Sequence, residues 1–158
     1  MDTSLPIVVT PLRPREPHPL LAVHAGLSPR SRLLRYHAPT PRLTASMLRR
    51  LTDLRPGQHE AYAAWHGHRA LGIVRWTRVG HDQAELAVEV VDSEHCRGVG
   101  RQLVRHATRS AHRAGIRRLV VDVHADNRPV RAWLHRMGAE PHPSEPGRYV
   151  VPTWGEPR

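Results

Sequence analysis

No lysine and no phenylalanine occur anywhere in the 158 residues. Every one of the 24 cationic side chains is therefore arginine. A phosphate-binding loop of the GxxxxGK[ST] type needs its lysine, so that class is excluded. The single cysteine, Cys96, rules out an internal disulfide and with it a cross-linked secreted scaffold. No apolar run approaches the roughly 18 residues of a membrane-spanning helix. The first residues, MDTSLPIVVTPLRPREP, lack the basic-then-apolar pattern of a secretion signal. A soluble cytoplasmic protein with no membrane partner is the expectation.

What is present is a net charge of +10 and a hydrophobic fraction of 39%. That fraction supports one folded core, and the length suits one domain over 1–158, with Met1 to Ser4 as a loose end. The arginines are scattered, with no block of five or six, so nucleic acid is not the expected partner. The wealth of Arg, Ala, Pro and His reads as codon bias of a GC-rich genome. Thirteen histidines invite a metal, yet no HExxH occurs and His66-Gly67-His68 stands alone, so no metal is expected.

Along the chain, Leu5 to Thr10 is rich in β-branched residues and predicts a first strand. Pro11 to Pro19 holds four prolines and predicts irregular structure. Three short helices follow: Leu20 to Leu27, Arg30 to Tyr36 behind a Ser28-Pro29 cap, and Thr44 to about Leu54. Glu60 to His66, Arg69 to Val79 and Gln83 to Val91 predict an antiparallel meander joined by tight turns. Gly98 to Ala114 predicts an amphipathic helix, with Val99, Leu103, Val104, Ala107, Ala111 and Ala114 as its stripe. Arg118 to His124 is a strand, Asn127 to Met137 a helix, and Arg148 to Thr153 a last strand. The unit from Leu86 to His124 should be a right-handed parallel crossover. The fold class is mixed α/β (α+β): a mostly antiparallel sheet with one central parallel β-α-β unit and helices on both faces. Trp65 and Trp76, on adjacent strands, read as core or cleft wall.

Val90 to Leu103, VVDSEHCRGVGRQL, is the most informative segment. A strand enters a short loop and then a helix that begins with Gly98 and Gly100. The first amides of a helix lack internal partners and sit at the positive end of its dipole, an arrangement suited to phosphate. Arg97 and Arg101 add charge there. A dinucleotide fingerprint fails because Leu103 stands at its third glycine. A glycine pair that merely permits tight helix–strand packing remains an alternative. Cys96 beside a helix N-terminus could be a nucleophile, but no His/Asp constellation accompanies it.

His95-Cys96-Arg97-Gly98-Val99-Gly100 resembles the [QR]xxGx[GA] loop of the GCN5-related N-acetyltransferase (GNAT) family, departing from it at His95 and Cys96. AELAVEVVD (Ala84 to Asp92) resembles that family's fourth strand. Ala114 to Ala139 resembles its fifth strand and fourth helix, with Asn127 where the family has an Asn. Leu27 to Leu54, LSPRSRLLRYHAPTPRLTASMLRRLTDL, is similar to the acceptor-side helices of bacterial Pat-type protein-lysine acetyltransferases. The resemblance implies acetyl-CoA as acetyl donor and a primary amine, on a protein or a small molecule, as acceptor. It implies cofactor contacts from Val90, Val91, His95, Cys96, Arg97, Gly98, Val99, Gly100, Arg101 and Asn127, with a backbone N–H near Val90 on the thioester carbonyl. A homodimer is left open.

A lysine-like amine, with a pKa of about 10.4, is neutral in only about one molecule in a few thousand at pH 7. A carboxylate that takes its proton addresses that deficit. Glu85 is the first choice as base and Glu89 the second. Four residues apart on a strand, they share one face, unless a bulge of the kind this family carries intervenes. The family's usual Tyr donor to the leaving thiolate falls at Leu134, and His135, Cys96 or water are the substitutes. Leu134 and the altered His95-Cys96 also fit a second function: a module that binds CoA without turnover and acts as a regulatory or interaction domain. Both functions predict stabilisation by acetyl-CoA; only the enzyme releases thiol when amines are added. With no lysine, the chain cannot acetylate a lysine of its own.

Overall fold

The computed structural model describes residues 5–153; the expected loose end at Met1 to Ser4 lies outside them. The chain runs β1 (Val8–Pro11), α1 (His18–Ala25), α2 (Pro29–Tyr36), α3 (Ala45–Thr52), β2 (His59–His66), β3 (Arg69–Arg78) and β4 (Gln83–Val90). One 3₁₀ turn, Asp92–Glu94, leads into α4 (Val99–Arg113), β5 (Arg118–Asp122), α5 (Arg128–Arg136), β6 (Glu140–Pro141) and β7 (Arg148–Pro152). The strands form one sheet in the order β1-β2-β3-β4-β5-β7-β6. Only β4 and β5 pair in parallel. The mixed, mostly antiparallel sheet with its central parallel crossover is thus as expected.

Local chemistry accounts for the helix ends. Ser28 caps α2 and Thr44 caps α3, each side chain accepting from the backbone N–H three residues on. Gly115, with φ +84, follows α4 and lets the chain turn left-handed. Two expectations need correction. Pro19 lies inside α1, which begins at His18 and not at Leu20. A helix's first turn has no use for the missing N–H, so the proline is tolerated there. The first strand is shifted to Val8–Pro11, and β6 was not anticipated. Two residues are too few for any periodicity to show.

Two cores lie on the two faces of the sheet. Beneath α4 and α5, Val74, Trp76, Leu86, Leu103, Ala107, Leu119, Val121 and Leu134 pack together. The α4 stripe is buried as its spacing predicts, apart from the half-buried Ala114 at its end. A polar network within this core closes around Ser110. Trp76 Nε1 donates to Ser110 Oγ (3.0 Å), Ser110 Oγ to Glu60 Oε1 (2.9 Å), and Tyr62 to Glu60 Oε1 (2.6 Å). Those hydrogen bonds outweigh the desolvation that would raise Glu60, and hold its carboxyl below the ordinary range. On the opposite face a smaller core of Leu20, Val23, Leu43, Leu51, Ala63 and Ile73 lies under α1 and α3.

Candidate active site

The site begins where the sheet comes apart. The parallel ladder pairs only Gln83, Ala84 and Glu85 with Arg118, Leu119 and Val120. From Leu86 to Val90, β4 is paired to β3 alone. Val91 N–H donates to Leu71 O (2.9 Å), which sets the alternation along β4. The N–H groups of Glu85, Ala87 and Glu89 point to β3, and those of Val88 and Val90 point into the opening. His95 marks the same edge: its Nε2 lies 2.8 Å from Val90 O. An unpaired strand edge is a template for an extended, amide-bearing ligand.

The N-terminus of α4 borders this opening. The first internal helix bond is Gln102 N to Gly98 O (3.1 Å), so the amides of Val99, Gly100 and Arg101 precede the ladder. Gly98 has φ +82, where a side chain is strained. Gly100 is the more telling of the two. A Cβ there would meet Val90 Cγ2 at 3.7 Å and Trp133 Cη2 at 3.9 Å, ordinary contact distances. Packing does not demand glycine at Gly100, against the tight-packing alternative, and its missing side chain leaves room beside free amides. The cradle suits the diphosphate of a nucleotide cofactor. Gly72, which drew no notice in the sequence, is the position that packing does demand: a Cβ there would stand 2.6 Å from Glu89 O.

The other expected cofactor residues are placed as follows. Arg97 and Arg101 are exposed at the loop, and Arg97 Nη1 is 4.0 Å from Glu94. Cys96 is exposed and holds φ +61, a left-handed conformation costly for a residue with a Cβ. Val99 is buried under the helix. Val91 spends its N–H on β3 and buries its side chain. Asn127 caps α5, its Oδ1 accepting from Val130 N (3.4 Å). Leu134 is 1% exposed and faces the core, while His135 is on the exposed side of α5. Among the described residues, no group of three or more His, Cys, Asp or Glu is placed to hold a metal.

The β3–β4 register runs unbroken from Gly72↔Val90 to Arg78↔Ala84, so no bulge separates the two glutamates and they share the face under α1–α3. Their surroundings differ. Glu85, at the last rung before the opening, has a side chain 53% exposed and lies 4.0 Å from Arg148. Arg148 is itself held by Asp122, whose carboxyl that guanidinium keeps below its ordinary range. The Glu89 side chain is 2% exposed. Tyr36 donates to its Oε2 (3.2 Å), and Arg35 Nε is 3.4 Å from the same oxygen. His37, at the left-handed end of α2, meets His124 beyond β5, the rings tilted by 59° with centroids 5.8 Å apart. The end of α2 thus spans from β4 to the far side of the opening. None of this roof was legible in the sequence, because its contacts join segments some 50 to 90 residues apart. A cavity of about 700 Å³ beside Arg15, Arg49 and Arg50 lies away from the opening, at α3.

A profile of the acetyltransferase (GNAT) family matches residues 30–139. The GNAT domain of S. lividans PAT superposes with a TM-score of 0.85 at 28% identity, covering 91% of this chain and 89% of that one. A cAMP-binding acyltransferase from Mycobacterium smegmatis gives 0.64 at 22% identity, over 93% of this chain and 43% of that one. This chain spans less than half of that protein. A probable acetyltransferase from Staphylococcus epidermidis gives 0.73 at 13% identity, over 94% and 100%. No curated protein matches the chain.

Proposed function

We propose that this chain, which belongs to the acetyltransferase (GNAT) family, moves an acetyl group from acetyl-CoA to a primary amine by direct attack in a ternary complex. One observation carries the reading. The unpaired edge of β4 meets the unpaired first amides of α4, and at Gly100 no protein contact calls for glycine. The α4 amides and dipole hold the diphosphate, with Arg97 and Arg101 screening its charge. The Val88 and Val90 edge takes the amide-bearing arm, and the Val90 N–H polarises the thioester carbonyl as negative charge develops there. His95 leaves Val90 O as the arm arrives.

Glu85 serves as base because it is open to solvent at the rung where the strands part, whereas Glu89 is buried and already engaged. The amine nitrogen forms its bond to the acyl carbon, the carbon–sulfur bond breaks, and the amine's proton passes by way of water to Glu85. With Leu134 in the core, the departing sulfur takes its proton from water. A second reading, a CoA-binding module without turnover, draws on that same missing donor.

Calorimetry with coenzyme A and thiol release with an amine panel test both. The enzyme binds CoA and releases thiol; a module binds CoA and releases none; no heat with CoA overturns both. Gly100→Leu fills the cradle, so CoA binding should be lost with the melting temperature little changed. Glu85→Gln should lower kcat about 100-fold at neutral pH with KM for acetyl-CoA retained. Full activity in that variant removes Glu85 as the base.

A further inference from the structure

Between Glu94 and Asp122 the chain carries no acidic residue, and Arg97, Arg101, Arg105, Arg109, Arg113 and Arg117 recur there at every fourth position. A bias toward arginine over lysine accounts for the choice of cation. It accounts neither for this spacing nor for the missing carboxylates. An α-helix rises about 6 Å over four residues and turns about 40° past a full circle. In α4 the spacing therefore gathers Arg101, Arg105, Arg109 and Arg113 into one row, on the side opposite the buried Leu103, Ala107 and Ala111. Arg101, Arg105 and Arg113 are exposed and Arg109 is half-buried. Gln102 and His112 complete an outer face without an apolar side chain.

Like charges four residues apart on a helix repel. No Asp or Glu of α4 relieves them. Among the described residues, none of the four guanidiniums forms an ion pair. Their neighbours Arg97 and Arg118 do, with Glu94 and Asp82. Arg109 Nε is buried without a hydrogen bond. The uncompensated field is felt by His106, which burial first, and then Arg113 and Arg109, hold below the ordinary histidine value.

We propose that Arg105, Arg109 and Arg113 on the outer face of α4 dock an acidic helix of another protein, one with a carboxylate at every fourth residue. Such a helix fits for two reasons. Its charges repeat with the same rise of about 6 Å, so successive carboxylates stay in step with successive guanidiniums. Rows of this kind lie at about 26° to their axes, and two of them run side by side when the helices cross at about 50°. Arginine also offers a flat, two-pronged donor that a carboxylate accepts with both oxygens. With no apolar side chain in the face, the contact is weak and salt-sensitive. It lies across the sheet from α1–α3 and acts independently of acetyl transfer.

The test is fluorescence anisotropy of the full chain with three labelled probes. The first is a helical peptide with Glu at every fourth residue. The second is a helical peptide of the same composition with its Glu in one block, and the third a DNA duplex of equal charge. The periodic peptide should bind about tenfold tighter than the block peptide, and raising salt from about 50 to about 300 mM should weaken it. The triple variant Arg105→Gln, Arg109→Gln, Arg113→Gln should lose this preference and keep its affinity for CoA. The double variant Arg105→Gln, Arg113→Gln changes exposed side chains only, covers the case that the triple does not fold, and should lose most of the preference. Equal or absent binding of the two peptides, or a preference that survives in both variants, overturns the proposal. Tighter binding of the duplex than of the periodic peptide assigns the face to nucleic acid and overturns it too, as does a loss of CoA affinity in the double variant, which would assign the row to the cofactor.

Discussion

The two faces of the sheet are built by different rules. Beneath α4 and α5 the core is apolar, and its polar insertion, Glu60–Tyr62–Trp76–Ser110, is closed by hydrogen bonds. Beneath α1–α3 the core is smaller and shares its floor with Arg75 and Glu89, which keep unpaired atoms. The α4 and α5 face carries the helix whose first amides are free, and it packs that helix against the sheet. Burying charge without full pairing costs stability. The unequal construction leaves the closed face apolar and the other face charged.

Mutations can break this contrast from either side. Trp76, fully buried and bonded to Ser110, is the anchor of the cofactor face, and Trp76→Ala should cost about 3–5 kcal/mol in a denaturant melt. A cost below 1 kcal/mol would mean that this face is as loosely built as the other. Replacing the buried ion pair of the other face, Arg35→Met with Glu89→Leu, should do the opposite. Apolar pairs of similar volume often replace buried ion pairs with a gain of about 1–4 kcal/mol. The double variant should melt higher; a lower melting temperature would show the charges to be structural.

Acid should weaken both faces. His24 and His59 on the acceptor side and His106 on the other are all held below the ordinary histidine value, mainly by burial. Their neutral forms belong to the fold, so below about pH 6.5 the unfolded chain binds more protons and stability falls. Glu60, Asp92 and Asp122, lowered by hydrogen bonds, extend the loss through the carboxylate range. Melting temperatures between pH 7.5 and 5 check the sign; a flat or rising profile with acid contradicts it. The smallest effect is local. Cys96→Gly relieves a left-handed residue and should stabilise the loop by about 1 kcal/mol, visible as a small rise in melting temperature.

Elements with a repeated pattern were legible in advance. The α4 stripe, the Ser28 and Thr44 caps and the β2–β3–β4 meander stand where spacing and capping chemistry put them. The glycine loop was legible as an anion site because helix amides and dipole depend on backbone alone. Less was visible where neighbours decide. Glu85 and Glu89 read identically on the strand, and their different burial comes from Tyr36 and Arg35, more than 45 residues upstream of either. Arg75 drew no notice at all, since one arginine among 24 carries no local signal.

By itself, then, the order of residues determined the element sequence apart from β6, the mixed sheet and the glycine-led start of α4, all products of short-range periodicity and backbone freedom. Tertiary structure alone decided that β4 and β5 part after Glu85, that Gly72 and not Gly100 answers to packing, and that Arg35 and Tyr36 of α2 meet the buried Glu89. Those outcomes depend on which distant surfaces meet, and desolvation acts on a side chain only once its neighbours have arrived.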